Sequence, residues 1–374
     1  MRHPTKVATA VAAASLLVAC AGEPDTVSST PTSDATTSVA APTSPPAPTE
    51  PLPPPPTTPT PQPTSEPLTL AFVGDMNFET ETRDRLDADP GSVFGAALPL
   101  LGAADLTFGN LETAITEGGS PEPKAYTFRA PATAFDALEI AGFDAVSMAN
   151  NHGVDYGAEG LADTLDAIDE TSVAVAGIGP DAARAYAPVF LEAKGRRVAF
   201  LAALDLHDET WRNWGASDSS GGVARYDERF VESVRVAAQD ADLTIAYLHW
   251  APENDPCPDP DTAPPIVDAL VAAGADVVIG AHAHMLQGAG WRDQAFVAYG
   301  MGNYLWYFQR VEQTTRTGIL TLTVDGASVV GYDYAPARIG SDDVPTPMAG
   351  AEADVARQQF EELRSCTDLA AEPG

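Results

Sequence analysis

The 374-residue chain carries 53 acidic against 20 basic side chains, a formal charge of −33. From residue 67 onward 48 acidic residues stand against 18 basic, a charge of −30; such a surface repels nucleic acid and anionic lipid and disfavours a polyanionic substrate unless cations screen it. The length allows one large domain with a substantial core, or two small ones.

In chain order, residues 1–20 place Arg2, His3 and Lys6 ahead of an apolar stretch from Ala8 to Ala19. This is an export signal, too short for an ordinary spanning helix. The small residues before Cys20 resemble a bacterial lipobox, which implies a diacylated Cys20 at the mature N-terminus; a secretory signal with a chance cysteine is the alternative. Residues 21–66 are Pro, Thr, Ser and Ala with almost no large apolar side chains to offset ordering entropy. They are expected to form a disordered tether, extended through the run "PLPPPPTTPTPQP". Membrane association is therefore expected through the lipid anchor only, with the 67–374 domain on the outer face of the cytoplasmic membrane, at the cell wall.

Beyond residue 67, short β-rich runs alternate with helical patterns, the order of an α/β domain. The sequence predicts strands at 68–75, 104–110, 143–150, 197–204, 243–250, 275–282 and 295–303, and helices near 132–141, 158–170, 227–239 and 261–273. A β-hairpin over 318–339 turns around Asp325-Gly326, and a final helix follows at 350–364.

Polar residues gather where these strands end: Asp75, Glu112, Asn151 with His152, His249, and His282 with His284. Ligands of open α/β sheets collect outside the carboxyl ends of the strands, so six segments are expected to deliver metal-type side chains to one edge of one sheet. Each segment alone has a plainer reading. "VGDMNFE" and "GNLET" read as turns or caps, "NNHGVDYG" as an Asx-rich connection, and His249 as a satisfied interior histidine. "GAHAH" is more suggestive, because two imidazoles two residues apart on an extended segment project to the same side. Taken jointly, four of the five histidines beyond the tether share strand ends with Asp75, Glu112 and Asn151, which chance rarely produces. Imidazoles with carboxylate and amide oxygens suit zinc, manganese or iron, and this many donors argue for two divalent metal ions sharing a carboxylate.

The segments "FVGDMNFE", "ADLTFGNLETAIT", "YTFRAP", "AGFDAVSMANNHGVDYGAEGLADTLDAI", "LHWAPEND" and "GADVVIGAHAHMLQGAG…YGMGNYLW", in this order, resemble the CapA capsule-biosynthesis family associated with poly-γ-glutamate. That family is similar to calcineurin-like metallophosphoesterases, and the resemblance covers about residues 68–306. It implies an α/β fold of the metallophosphoesterase kind, a β-sandwich flanked by helices in four layers, α/β/β/α. It further implies Asp75, Asn151, His249, His282 and His284 as metal ligands, with Glu112 as the bridging carboxylate. His152 would be the catalytic acid or phosphate stabiliser and Asp155 the group that orients it. Arg129 in "TFRAP" would bind an anion, with Asn77 and Glu253 beside the substrate. There are two departures. Asp75-Met76-Asn77 stands where the superfamily usually has Asp-x-His, and Trp250-Ala251-Pro252-Glu253 replaces Trp-Gly-x-Glu.

The implied function is that of a cell-surface protein in capsule or poly-γ-glutamate synthesis, export or anchoring. It would be a metal-dependent hydrolase or transferase acting on a phosphoester or a γ-glutamyl amide, with capsule synthase or export membrane proteins as partners. The alternative is a non-catalytic component that binds anionic polymer through metal. A solute-binding lipoprotein is a blander possibility that the histidine-rich strand ends argue against. Three features stand outside the assignment. His207 reads as a loop or packing histidine, Trp211, Trp214 and Trp250 as either groove or core, and Cys257 and Cys366 as a disulfide tying the final helix to the loop after residue 250, or as free thiols.

Overall fold

The computed structural model describes residues 66–250, 252–307 and 311–374; the expected export signal, the Cys20 lipidation site and the tether up to residue 65 lie outside them. The strands of its two large sheets, in chain order, are β1 (Leu68–Met76), β2 (Leu106–Leu111), β3 (Ala145–Ser147), β4 (Ala174–Ala176), β5 (Val189–Ala193), β6 (Arg196–Leu204) and β7 (Leu243–His249). They continue with β8 (Val277–Ala281), β9 (Ala289–Arg292), β10 (Ala295–Ala298), β11 (Asn303–Leu305), β12 (Arg316–Asp325), β13 (Ser328–Ile339) and β14 (Pro345–Pro347). The longer helices are α1 (Thr80–Ala88), α2 (Thr133–Ala141), α3 (Gly157–Glu170), α4 (Glu228–Asp240), α5 (Ala263–Ala273) and α6 (Gly350–Leu363).

The first sheet runs β14-β13-β12-β1-β2-β3-β4, with β11 pairing beside the end of β1; the second runs β9-β10-β8-β7-β6-β5. β1 to β4 are mutually parallel, as are β6, β7, β8 and β10, so both sheets present several carboxyl strand ends. Strands buried on both faces need continuous apolar runs, which β1, β2 and β7 supply.

Between the sheets lies a shared core in which Phe72, Phe108, Phe200 and Tyr247 follow one another with ring centroids 5.1, 5.0 and 6.0 Å apart. Phe135 and Leu138 of α2 and Leu161 of α3 cover the outer face of the first sheet. Phe230 and Val234 of α4 and Val267 and Leu270 of α5 cover that of the second. The arrangement is the four-layer α/β/β/α sandwich. Local chemistry sets the helix ends: Asp227 caps α4 by accepting the Phe230 N–H at 3.1 Å, while Gly142 and Gly274 end α2 and α5 at φ of 83° and 106°.

Three expectations are corrected. The strand ends belong to two sheets packed face to face, not to one, because a parallel strand's sequence does not record which sheet it joins. The run 295–303 is not one strand: β10 pairs with β8 in the second sheet and β11 with β1 in the first. The crossing bends at Gly302 (φ 65°) and presses its carbonyl to where a Cβ on Gly74 would sit, at 1.8 Å. Finally, β3 stops at Ser147, and residues 148–156 leave the sheet as a turn.

Cys257 and Cys366 are joined, with Cα atoms 5.8 Å apart, tying the loop ahead of α5 to the segment after α6. Trp250 is core rather than groove, its indole donating to the Tyr299 carbonyl at 2.9 Å. Among the described residues no helix is long and apolar enough to cross a membrane.

Candidate metal centre

The parallel strands of both sheets end at a common rim. Asp75 closes β1 and is fully buried; one carboxylate oxygen accepts from Asn110 Nδ2 at 2.8 Å, and the other accepts the His282 backbone N–H at 3.1 Å and faces His284 Nδ1 at 3.2 Å. Glu112 follows β2, also fully buried, with Oε1 3.6 Å from His249 Nε2 and 3.9 Å from His152 Nε2. That oxygen has no hydrogen-bond partner. Burial first, and the neighbouring charge of Asp75 second, push the Glu112 carboxyl well above its ordinary range.

His249 ends β7 with Nδ1 facing Asn110 Nδ2 at 3.1 Å and Nε2 facing Asn151 Oδ1 at 2.8 Å. His282 and His284 follow β8, both in the left-handed region, at φ of 81° and 54°. Such backbone is costly for a residue with a Cβ and persists only where the surroundings impose it. His284 Nδ1 also meets Asn303 Oδ1 at 2.9 Å, whereas His282 Nδ1 is buried without a partner. The ring centroids of His249 and His282 are 4.7 Å apart, those of His282 and His284 5.5 Å.

Burial, reinforced by the neighbouring imidazoles, holds His249 and His282 well below the ordinary histidine range, so both are neutral. Burial would lower His284 too, but the hydrogen bond and charge of Asp75 outweigh it and raise that residue. Two sets of donor atoms lie within 4.8 Å of one another: Asp75, Glu112 and His249, and Glu112, His282 and His284. Glu112 belongs to both.

The turn after β3 forms the other wall. Asn151 is half-buried, and His152 is buried with Nδ1 2.6 Å from Asp155 Oδ2, its ring 4.1 Å from that of Phe128. A carboxylate only accepts, so Nδ1 carries the proton and Nε2 is left toward Glu112. Burial outweighs Asp155 and pulls His152 below its ordinary value.

Asn77 is fully buried; its Oδ1 accepts from the Glu79 N–H at 3.3 Å, which fixes the amide and leaves Nδ2 an unpartnered donor. Glu253 is exposed, 4.0 Å from His282 Nε2. Arg129 is directed elsewhere, its guanidinium over the Tyr156 ring at 4.8 Å and donating to the Glu117 carbonyl at 3.3 Å. A cleft of about 420 Å³ opens over the rim, lined among others by Lys124, Asn151, His152, His207, Glu253 and His282. His207 is thus at the mouth, 74% exposed, and not among the buried donors.

Sequence reasoning passed over Asn110, Asn150, Asn303 and Lys124. Asn110 binds Asp75 and faces His249, and it accepts from Asn150 Nδ2 at 3.0 Å; Asn150 in turn receives the His152 backbone N–H at 3.0 Å. The signal lay in "GNLE", "ANNH" and "MGNY": Asn110 and Asn150 stand within two residues of Glu112 and Asn151, and Asn303 lies in a segment that carries the family resemblance.

Residues 69–307 match the family described as bacterial capsule synthesis protein PGA_cap. The chain is 27% identical over 296 residues to the capsule biosynthesis protein CapA of Bacillus anthracis, covering 77% of this chain and 71% of that one. It is 26% identical over 245 residues to the PGA biosynthesis protein CapA of Bacillus subtilis (strain 168), covering 64% of this chain and 63% of that one, just under two thirds of its length. Among solved structures it is similar to the calcineurin-like phosphoesterase YfkN from Bacillus subtilis, at 16% identity and a TM-score of 0.45, covering 79% of this chain and 97% of the other. The 69–307 match takes in every strand end of the rim, and on that match the chain belongs to the bacterial capsule synthesis protein family PGA_cap.

Proposed function

We propose that the chain is a metal-dependent hydrolase or transferase of capsule or poly-γ-glutamate metabolism, acting on a phosphoester or on a γ-glutamyl amide of an anionic polymer. The observation that carries this reading is the buried, partnerless Oε1 of Glu112, the residue that both donor sets share. An unpaired buried carboxylate oxygen costs free energy, and two divalent ions held by Asp75, Glu112, Asn151, His249, His282 and His284 would account for it. The neutral state of His249 and His282 and the free Nδ1 of His282 fit the same donor set. Zinc, manganese and iron all suit mixed nitrogen and oxygen donors.

Divalent ions bound there would neutralise substrate charge and make water acidic enough to lose a proton near neutral pH. The chain's own residues do the rest. With Nδ1–H on Asp155, neutral His152 presents an Nε2 lone pair that takes a proton during attack and returns it to the leaving group. The free amide donor of Asn77 is available to an oxygen of the substrate, and Glu253 borders the entry. Lipidated Cys20 would station the protein on the outer face of the membrane, beside capsule synthase or export membrane proteins.

A second reading, a non-catalytic component that binds polymer through metal, is favoured by Asn77: as a fixed donor it offers no oxygen to an ion where the superfamily pattern has an imidazole. Metal analysis of the purified full chain, with hydrolysis assays on p-nitrophenyl phosphodiesters and poly-γ-glutamate, separates the two. Activity that His152→Ala abolishes, with metal retained, supports catalysis; metal without turnover supports the second reading. A wild-type chain without stoichiometric metal, in which His282→Ala changes nothing, rules out both.

A further inference from the structure

Lys124 is the cation of the cleft, and neither its place in the sequence nor the family pattern assigns it a role. Its side chain is only 12% exposed. Burying an ammonium costs several kcal/mol before pairing, on the order of the desolvation of any such ion, so its partners are informative. One is the Asp155 carboxylate, through Oδ1; the other is the backbone carbonyl of Asn151.

Those partners share one turn but serve different functional groups. Asp155 uses its second oxygen to hold His152 Nδ1, and the same oxygen accepts the Phe128 N–H at 2.7 Å. Asn151 points its amide oxygen at His249 Nε2. The loop carrying Lys124 is itself fixed to this turn, the Glu122 N–H donating to the Asp155 carbonyl at 2.8 Å and the Lys124 N–H to the Glu122 carbonyl at 2.8 Å. Thr210 Oγ1 adds a further donor to the Asn151 carbonyl at 2.8 Å.

We propose that Lys124 is a positioning residue, whose ammonium clamps the Asn151 carbonyl and the Asp155 carboxylate and so keeps the amide facing His249 in register with the His152 imidazole. It touches neither the expected metal positions nor the reacting group; it acts through Asn151, an expected ligand, and through Asp155, which orients His152. The inference rests on the functional reading above for the identity of the site. The acidic surroundings sharpen it. Asp208, Glu209 and Glu253 line the same cleft, so a free ammonium there had carboxylates to choose from, yet it is turned inward onto the turn.

Charge and position predict opposite signs, which makes the inference testable. By charge alone, deleting a cation beside the rim tightens binding of a divalent ion; by position, deleting the clamp weakens it. Manganese titration of the full chain by calorimetry should show Lys124→Met binding about tenfold or more weaker than wild type, the scale of lost outer-shell support. Lys124→Met also strands the buried Asp155 charge, so the double variant Lys124→Met/Asp155→Asn is measured alongside, and it should stay weakened. Binding that returns to wild type in the double variant, or that tightens in the single one, overturns the proposal.

A second readout needs no metal. The metal-free wild type should give a downfield imidazole N–H resonance that His152→Ala removes, and Lys124→Met should broaden or lose it; a resonance unchanged in Lys124→Met overturns the clamp. If wild type binds no manganese, the functional reading fails, and this resonance still decides the role of Lys124.

Discussion

Among the expected metal donors, the first sheet brings oxygens to the rim and the second brings imidazoles. Asp75, Glu112 and the amides of Asn110, Asn151 and Asn303 come from β1, β2, β11 and the turn after β3, whereas His249, His282 and His284 come from the ends of β7 and β8. The oxygen half is cross-linked by amides: Asn110 donates to Asp75 and accepts from Asn150. The imidazole half is held by backbone, with His282 and His284 in the left-handed region and the His282 N–H on Asp75. Neither half holds a complete donor set, since both candidate sets need Glu112 from one side and a histidine from the other. The sandwich interface, rather than either sheet, is therefore what builds the centre.

Glu112→Gln should break this division most sharply. Metal affinity, read by calorimetry, should fall by on the order of a hundredfold or more, beyond the loss expected from an outer-shell group. The metal-free protein should be as stable as wild type or more so, by up to about 1 kcal/mol in chemical denaturation, because a buried carboxyl crowded by Asp75 is removed. A parallel loss of stability would mean that Glu112 is a structural group.

Deleting imidazoles one at a time tests whether the two donor sets are separate. His249→Ala should remove the ion held with Asp75, and His282→Ala the ion held with His284, each halving the metal found by elemental analysis. Loss of all metal in either variant would point to a single shared ion.

The halves should also part in acid. His249 and His282 are depressed when folded and regain the ordinary value of about 6.5 when unfolded, so the unfolded chain takes up protons first. Their stabilising contribution is full above that value and is lost as pH falls below it. For the metal-free chain, thermal melts from pH 7 to pH 5 should show stability declining by up to about 1.4 kcal/mol per pH unit for each histidine. His249→Ala and His282→Ala should each flatten the decline, and an unchanged slope would remove the imidazoles as its cause.

The smallest effect belongs to the supports. Asn303→Ala frees His284 Nδ1 from one partner while leaving Asp75, and should weaken metal binding by about tenfold with little change in the number of ions bound. Wild-type affinity in that variant would place Asn303 in the strand crossing alone.

Much of this was readable from residues. The buried strands declared themselves through apolar runs, and the rim through the polar residues that end them. What was not readable is partnership. Glu112 and Asn110 both sit in "GNLE", but only the folded chain shows one oxygen left bare and the neighbouring amide spent on Asp75. Lys124 is 27 residues from Asn151, and no local pattern reports that its ammonium folds back onto that turn. The run ending at Asn303 read as one strand because Phe296, Val297 and Tyr299 are strong β-formers, and the change of sheet is made by two glycines meeting, Gly74 and Gly302. Arg129 shows the reverse hazard: a charge in a motif that spends itself on an aromatic ring.

The placement of β1, flanked by β2 on one side and by β12 and β11 on the other, has a kinetic consequence. Asp75 donates its N–H to Gly302 and accepts that of His282, a contact spanning 207 residues. Contacts of such separation form only after a long loop has closed, and they make folding slow. The rim therefore closes only once the end of β8 has docked, and an N-terminal fragment ending before β8 would contain Asp75 and Glu112 without His282 and Gly302, which Asp75 meets. An ion that recognises only the finished rim would leave the folding rate nearly untouched and act on escape, lengthening the lifetime of the native state.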